Sequence, residues 1–302
     1  MFNDTIVCCY LYFISKYGYP PPAKDTHDYL IEAKSLGFTS IELEGIRSDH
    51  LLTVFSQRHS IREQLDELGL SCPYFCVVLP GLASSDEKER NENLSLFEKG
   101  CDVAAALGAK GVLDNGPLPP FQFPEDIPIV RHYDQAILRS AHYPNELVWD
   151  RYWAALIDTY RAACDLAASR DLTFSLHPCL GVLTATTDGY LYFHDAVSRD
   201  NLRFTFDTAN LFVVKENLPL SLHRLAGLVD FIHLSDNRGD RIEHLPPGEG
   251  AIEWKAFFEA IEAIGFKGDI GLDIGGEESG IEDLESAYQS TARWLKQQWE
   301  TP

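Results

Sequence analysis

Apolar and polar positions alternate between two periods along this chain, and the alternation repeats. In "AIEWKAFFEAIEAIG" (251–265), Trp254, Phe257, Phe258, Ile261 and Ile264 mark one face at helical spacing. Short apolar runs of strand length recur between such stretches: "TIVCCYLYF", "TSIELEG", "LSCPYFCVVL", "AKGVLDN", "LTFSLHP", "LRFTFDT", "VDFIHLSD" and "DIGLDIGG". Helical patterns follow them at roughly 24–36, 48–68, 86–107, 147–169, 188–199, 216–227, 252–264 and 281–298. The junctions share a signature. "SLGF" (35–38), "ELGL" (67–70), "ALGA" (106–109) and "AIGF" (263–266) each place glycine where a helix ends and a strand begins, which suits a left-handed cap.

Eight strand–helix units in order predict a parallel sheet, and at 302 residues they favour a single closed (β/α)8 barrel spanning 1–302. A doubly wound open sheet is the alternative. No G-x-G-x-x-G follows the first strand, which argues against dinucleotide binding. One segment breaks the rhythm. Between Asn115 and Asn145 the chain is rich in proline and aromatics and too long for a simple connection. This insertion, about 116–145, follows strand four. It is expected to form a lid or wall over the carboxyl face, or else a plain surface loop or a contact between copies of the chain in a homo-oligomer.

Composition narrows the partners. The formal net charge is −21, so the surface repels phosphate backbones and anionic membranes, and neither nucleic acid nor membrane is an expected partner. A small neutral polyol or a cation is compatible with it. The amino terminus reads as a first strand rather than a signal peptide. The seven cysteines lie mostly in apolar runs, as reduced thiols of a cytoplasmic protein would.

The chemistry collects at strand ends, where such a barrel builds its site. Strand two ends with Glu42 and Glu44, strand four with Asp114 and Asn115, strand five with Ser175 and His177. Strand six ends with Asp207 followed by Thr208 and Asn210; strand seven supplies His233, Asp236, Asn237 and Arg238; strand eight ends with Asp273. An apolar strand finishing in an ionisable group is costly unless that group is paired or metal-bound. His177, Asp207, His233 and Asp273 together would make a nitrogen and oxygen cage for one divalent cation, Mn, Mg, Co or Zn. A salt-bridged network without metal is the alternative. Taken alone, "DLTFSLHP" reads His177 as a core histidine satisfied by a backbone carbonyl, and only the other strand ends set the cage beside that reading.

"FTFDTANL", "VDFIHLSDNRGD" with "HLPPGEGAIEW", and "GFKGDIGLDI", in that order, resemble the xylose isomerase-like TIM-barrel family, most firmly over 172–274. The resemblance implies a metal-dependent isomerase or epimerase that moves a proton alpha to the carbonyl of a sugar or related polyol. It matches Asp207 and His233 to metal ligands and puts Asp273 where a ligand glutamate is usual. It also puts Ser175 at the position of a glutamate that is both ligand and acid/base. His177, Glu44 and Asp273 are then the candidate catalytic groups, and Ser175, Asn210, Asn237 and Arg238 the candidate substrate contacts. A lyase or dehydratase acting on an oxidised sugar or glycoside, and a non-catalytic homologue, remain open beside it. The endonuclease branch is set aside because its DNA needs a cationic face.

Overall fold

The computed structural model describes residues 6–124 and 133–300. The strands are β1 (Ile6–Cys8), β2 (Ser40–Ile41), β3 (Leu43–Ile46), β4 (Tyr74–Val78), β5 (Gly111–Asn115), β6 (Thr173–His177), β7 (Leu202–Asp207), β8 (Val229–Leu234) and β9 (Asp269–Leu272). All neighbours pair in parallel, in the order β2-β1-β9-β8-β7-β6-β5-β4-β3. β2 and β3 are two halves of one run interrupted at Glu42, so the nine segments occupy eight positions of a TIM barrel. The seam holds at both halves: the Glu42 N–H donates to the Cys8 carbonyl at 2.9 Å, and the Ile41 N–H to that of Ser71 at 2.9 Å.

The glycine junctions explain where the helices stop. The helix Arg47–Leu68 ends on Gly69 at φ +61°, where the Leu70 N–H returns to the Leu65 carbonyl at 2.8 Å. Helix Glu87–Leu107 ends the same way on Gly108 at φ +74°. The first strand differs from its sequence reading. It stops at Cys8, and Leu11–Tyr17 is a helix whose Leu11, Tyr12, Phe13 and Ile14 are all buried. A continuous apolar run has no period to separate a buried strand from a buried helix turn.

Alternation along the strands sorts side chains into two cores. One side packs under the helices, with Phe174, Leu176, Phe204, Phe206 and Ile232 in the large cluster. The other side fills the barrel: Val7, Cys9, Tyr74, Cys76, Leu113 and Phe231, with Tyr74 and Phe231 stacked at 4.5 Å between ring centres. Gly271 belongs to this interior, and a Cβ there would lie 2.3 Å from Cys9 Sγ and 2.9 Å from Phe231.

Of the expected insertion, residues 125–132 lie outside the described residues. Within the described part, Gln122 and His142 exchange backbone hydrogen bonds at 2.7 Å, and Gln135–Ser140 is helical. Among the described residues no helix is long and apolar enough to cross a membrane.

Gly271→Ala should overpack the barrel interior and cost about 1–3 kcal/mol of stability. Urea unfolding checks it: an unchanged midpoint would contradict the close approach of Cys9 and Phe231.

Candidate metal centre at the carboxyl end of the barrel

The strand registers bring the expected residues together. Asp207 pairs with His233 across β7 and β8, and His177 with Asn115 across β5 and β6. Asp273 follows β9 directly, its N–H bonded to the Leu234 carbonyl at 3.1 Å. Each of His177, Asp207, His233 and Asp273 is at most 6% exposed. Each offers one ligand atom, and those atoms lie within 4.8 Å of one another.

Every member is held from a second side. Asp207 caps the helix Thr208–Val213, taking the Asn210 N–H at 2.7 Å on Oδ1, while its Oδ2 meets His177 Nε2 at 2.8 Å. His177 Nδ1 lies 3.2 Å from Cys179 Sγ, which lies 3.1 Å from Asn115 Oδ1. The partners of His177 are thus a carboxylate and a thiol rather than a backbone carbonyl. His233 Nε2 meets Glu42 Oε2 at 2.9 Å. Asp273 Oδ2 stands 3.9 Å from His233 Nδ1 and 3.6 Å from Nε2 of the buried His244, whose Nδ1 is 3.0 Å from Glu278.

These contacts set the charges. Burial by itself lowers His177, but the Cys179 thiol and the Asp207 carboxylate outweigh it and raise the imidazole well above its usual value. Burial likewise opposes charge on His233, and the Glu42 carboxylate overcomes it to raise that ring. For Asp207 burial pushes upward, while the His177 hydrogen bond holds the carboxyl below the usual carboxylate range.

Two buried polar side chains near these donors have atoms without a hydrogen-bond partner among the described residues. His233 Nδ1 has none, nor do Nδ2 and Oδ1 of Asn210, which is 2% exposed. A buried polar atom left unsatisfied costs about 1–3 kcal/mol, so such atoms point to a missing ligand or water. With Nε2 beside Glu42 at 2.9 Å, Nδ1 is the His233 nitrogen that faces Asp273, 3.9 Å away. The donor set of imidazoles and carboxylates fits a divalent first-row cation or Mg. A carboxylate on the far ring nitrogen is the usual way a ligating histidine is oriented.

Above the donors lies a cavity lined by Glu42, Glu44, Asn115, His177, His233 and Asp273, with Leu11, Ile14 and Tyr19 among its apolar wall. Glu44 therefore joins the group. Ser175 stands apart: it is fully buried and its hydroxyl is 2.7 Å from that of Thr205. Two residues before His177 is one layer deeper in the barrel, level with Leu113 on β5. Asn237 is buried in its own loop, its amide 3.5 Å from the Ala209 carbonyl, and Arg238 pairs with Glu243 at 2.7 Å. Neither lines the donor cavity.

Cys179 and His244 carry no strand-end signal, so sequence reasoning passed over them. Glu42 was visible at a strand end, but its bond to His233 spans 191 residues. Asp236 turned out to organise a loop. Fully buried, it takes the N–H groups of Asn237 at 2.7 Å and Gly248 at 2.7 Å, that of Ile252 at 3.2 Å, and Trp254 Nε1 at 3.0 Å.

A parallel barrel with its ionisable groups gathered at the carboxyl ends of the strands defines a class of TIM-barrel proteins. Residues 30–298 match the family described as xylose isomerase-like TIM barrel, and the chain belongs to it. It is similar to 3-dehydro-D-guloside 4-epimerase of Escherichia coli (strain K12), 22% identical over 270 residues, 87% of this chain and 91% of that protein. A solved L-ribulose 3-epimerase superposes with TM-score 0.73 at 16% identity, covering 98% of this chain and 94% of that one. The IOLI protein, solved with a binding zinc atom, gives TM-score 0.69 at 19% identity over 97% and 96% of the two chains.

Asp236→Ala should strand four donors and lower stability by about 3 kcal/mol. A chemical denaturation curve indistinguishable from wild type would show that the loop 236–252 holds without it.

Proposed function

We propose that this protein is a metal-dependent epimerase or isomerase acting on a sugar or related polyol carbonyl compound by proton transfer alpha to the carbonyl. The observation that carries the reading is the set of four buried ligand atoms within 4.8 Å of one another, with His233 Nδ1 free to join a ligand. The epimerase relatives of the family support it.

Asp207, His233 and Asp273 would hold the cation, one Mn, Mg, Co or Zn ion, by their donor chemistry, with His177 as a fourth ligand or, left off the ion, as a proton carrier. Such an ion supplies Lewis acidity, drawing electron density from the carbonyl and hydroxyl oxygens of the substrate so that the intervening C–H becomes acidic. The proton work falls to the chain's own groups. β3 contributes Glu44 and β6 contributes His177, three positions apart around the ring, and Asp273 follows β9; all line one cavity. Groups arranged around a bound carbonyl compound can take a proton at one face and return it at another. Asn210, whose N–H is held by Asp207 Oδ1 at 2.7 Å, does not line that cavity. Cys76, Val78 and Leu113 close the inner wall against water.

Ser175 favours a second reading. Its hydroxyl is engaged by Thr205 and it brings no carboxylate to the cavity. Elimination from an oxidised sugar or glycoside needs one base to start, where epimerisation needs removal and return at opposite faces.

Wild type should bind about one equivalent of Mn²⁺, and Asp207→Ala should weaken it by at least about 100-fold, with Glu42→Gln about 10–100-fold weaker. In D₂O, a ketose panel should show deuterium entering alpha to the carbonyl, and Asp273→Asn should slow that entry by at least about 100-fold. Full metal retention in Asp207→Ala would sink the metal centre. Unsaturated or cleaved products in place of an epimer would select the second reading.

A further inference from the structure

Beside the donor cavity lies a second one that the proton chemistry does not use. It is the larger of the two, and they share Tyr19, Val78, Asn115 and Cys179. The first is ringed by acids and imidazoles. The second is walled by Val78, Leu118, Tyr133, Leu180 and Val182 over the edge of Tyr160. Its one acid among the lining residues, Asp114, is 2% exposed and takes the Leu79 N–H at 3.3 Å. Burial pushes that carboxyl well above the usual range, so it favours the neutral form.

A bare ketose is polar over its whole surface and would find its partners in the first cavity. A neighbouring apolar space that shares four wall residues with it fits a ligand with two unlike halves. The walls come largely from the ends of β4 and β5, from Cys179, Leu180 and Val182 after β6, and from Gly116, Leu118 and Tyr133, none of which supplies a donor atom.

We propose that the second cavity is an aglycone subsite, and that the substrate is a keto-glycoside whose uncharged aryl or alkyl substituent lies among Val78, Leu118, Tyr133, Leu180 and Val182 while its sugar ring reaches the donor cluster. The assignment rests on the sugar-carbonyl reading above and extends it to a substrate class. It is in keeping with a relative that acts on a 3-dehydro-guloside, itself a glycoside. Asn115 and Cys179, which line both cavities, would flank the glycosidic bond.

The test compares methyl and phenyl 3-dehydro-β-D-glucopyranoside as probes of the metal-loaded full chain by titration calorimetry. Burying a phenyl ring in such a space should tighten binding by about 10–100-fold over methyl. Leu118→Asp and, separately, Leu180→Asp, both at half-buried positions, should abolish the phenyl preference and leave the methyl affinity within about twofold. Equal affinity for the two probes, a preference surviving both substitutions, or no binding of either would overturn the subsite. The deuterium-exchange experiment judges the epimerase reading separately. Exchange without a phenyl preference removes only the subsite, and a phenyl preference without exchange removes only the proton chemistry.

Discussion

Glu42 has two tasks that meet at one point of the chain. Its backbone N–H closes the barrel onto Cys8, at the interruption between β2 and β3, and its carboxylate sits 2.9 Å from Nε2 of His233. Closure of the ring and orientation of a donor are therefore the same event. With Nε2 engaged, the other nitrogen is left to face Asp273, and the buried charge of Glu42, 2% exposed, is offset by the imidazole it orients. Removing either partner would leave the other, almost fully buried, without the group that balances it.

The same logic runs around the carboxyl end. Asp207 is bound on one oxygen by a helix N-terminus and on the other by His177, and His177 is bound in turn by Cys179. Carboxylates and imidazoles alternate, so no charge of one sign accumulates without its opposite nearby. Such a chain of bonds fixes side-chain directions before any ligand arrives, which is the condition for catalysis by positioned groups.

Much of this was legible in the sequence because it is local or periodic. Glycine caps at Gly37, Gly69, Gly108 and Gly265 all adopt positive φ, and each stands between a helix and a strand as the pattern implied. Strand ends named Asp207, His233, Asp273 and His177, since a polar residue closing an apolar strand is a one-dimensional signal. What escaped is what depends on depth or on distance along the chain. Ser175 and His177 share a face of β6, yet a two-residue step moves the serine down to Thr205 and out of the cavity. His244 reaches Asp273 from a loop with no period at all. The continuous apolar run at 6–14 hid the change from strand to helix because burial on every side erases the period that distinguishes them.

The two cavities are walled by different kinds of chain. Strand termini, locked by a ring of parallel hydrogen bonds, carry the donors; connecting segments such as 116–124 and 178–182 carry much of the apolar wall. Connecting segments accept insertions and substitutions far more readily than barrel strands do. A lineage built on this scaffold can thus diversify what it accepts by editing loops, while the inherited chemistry beneath stays sheltered from that drift.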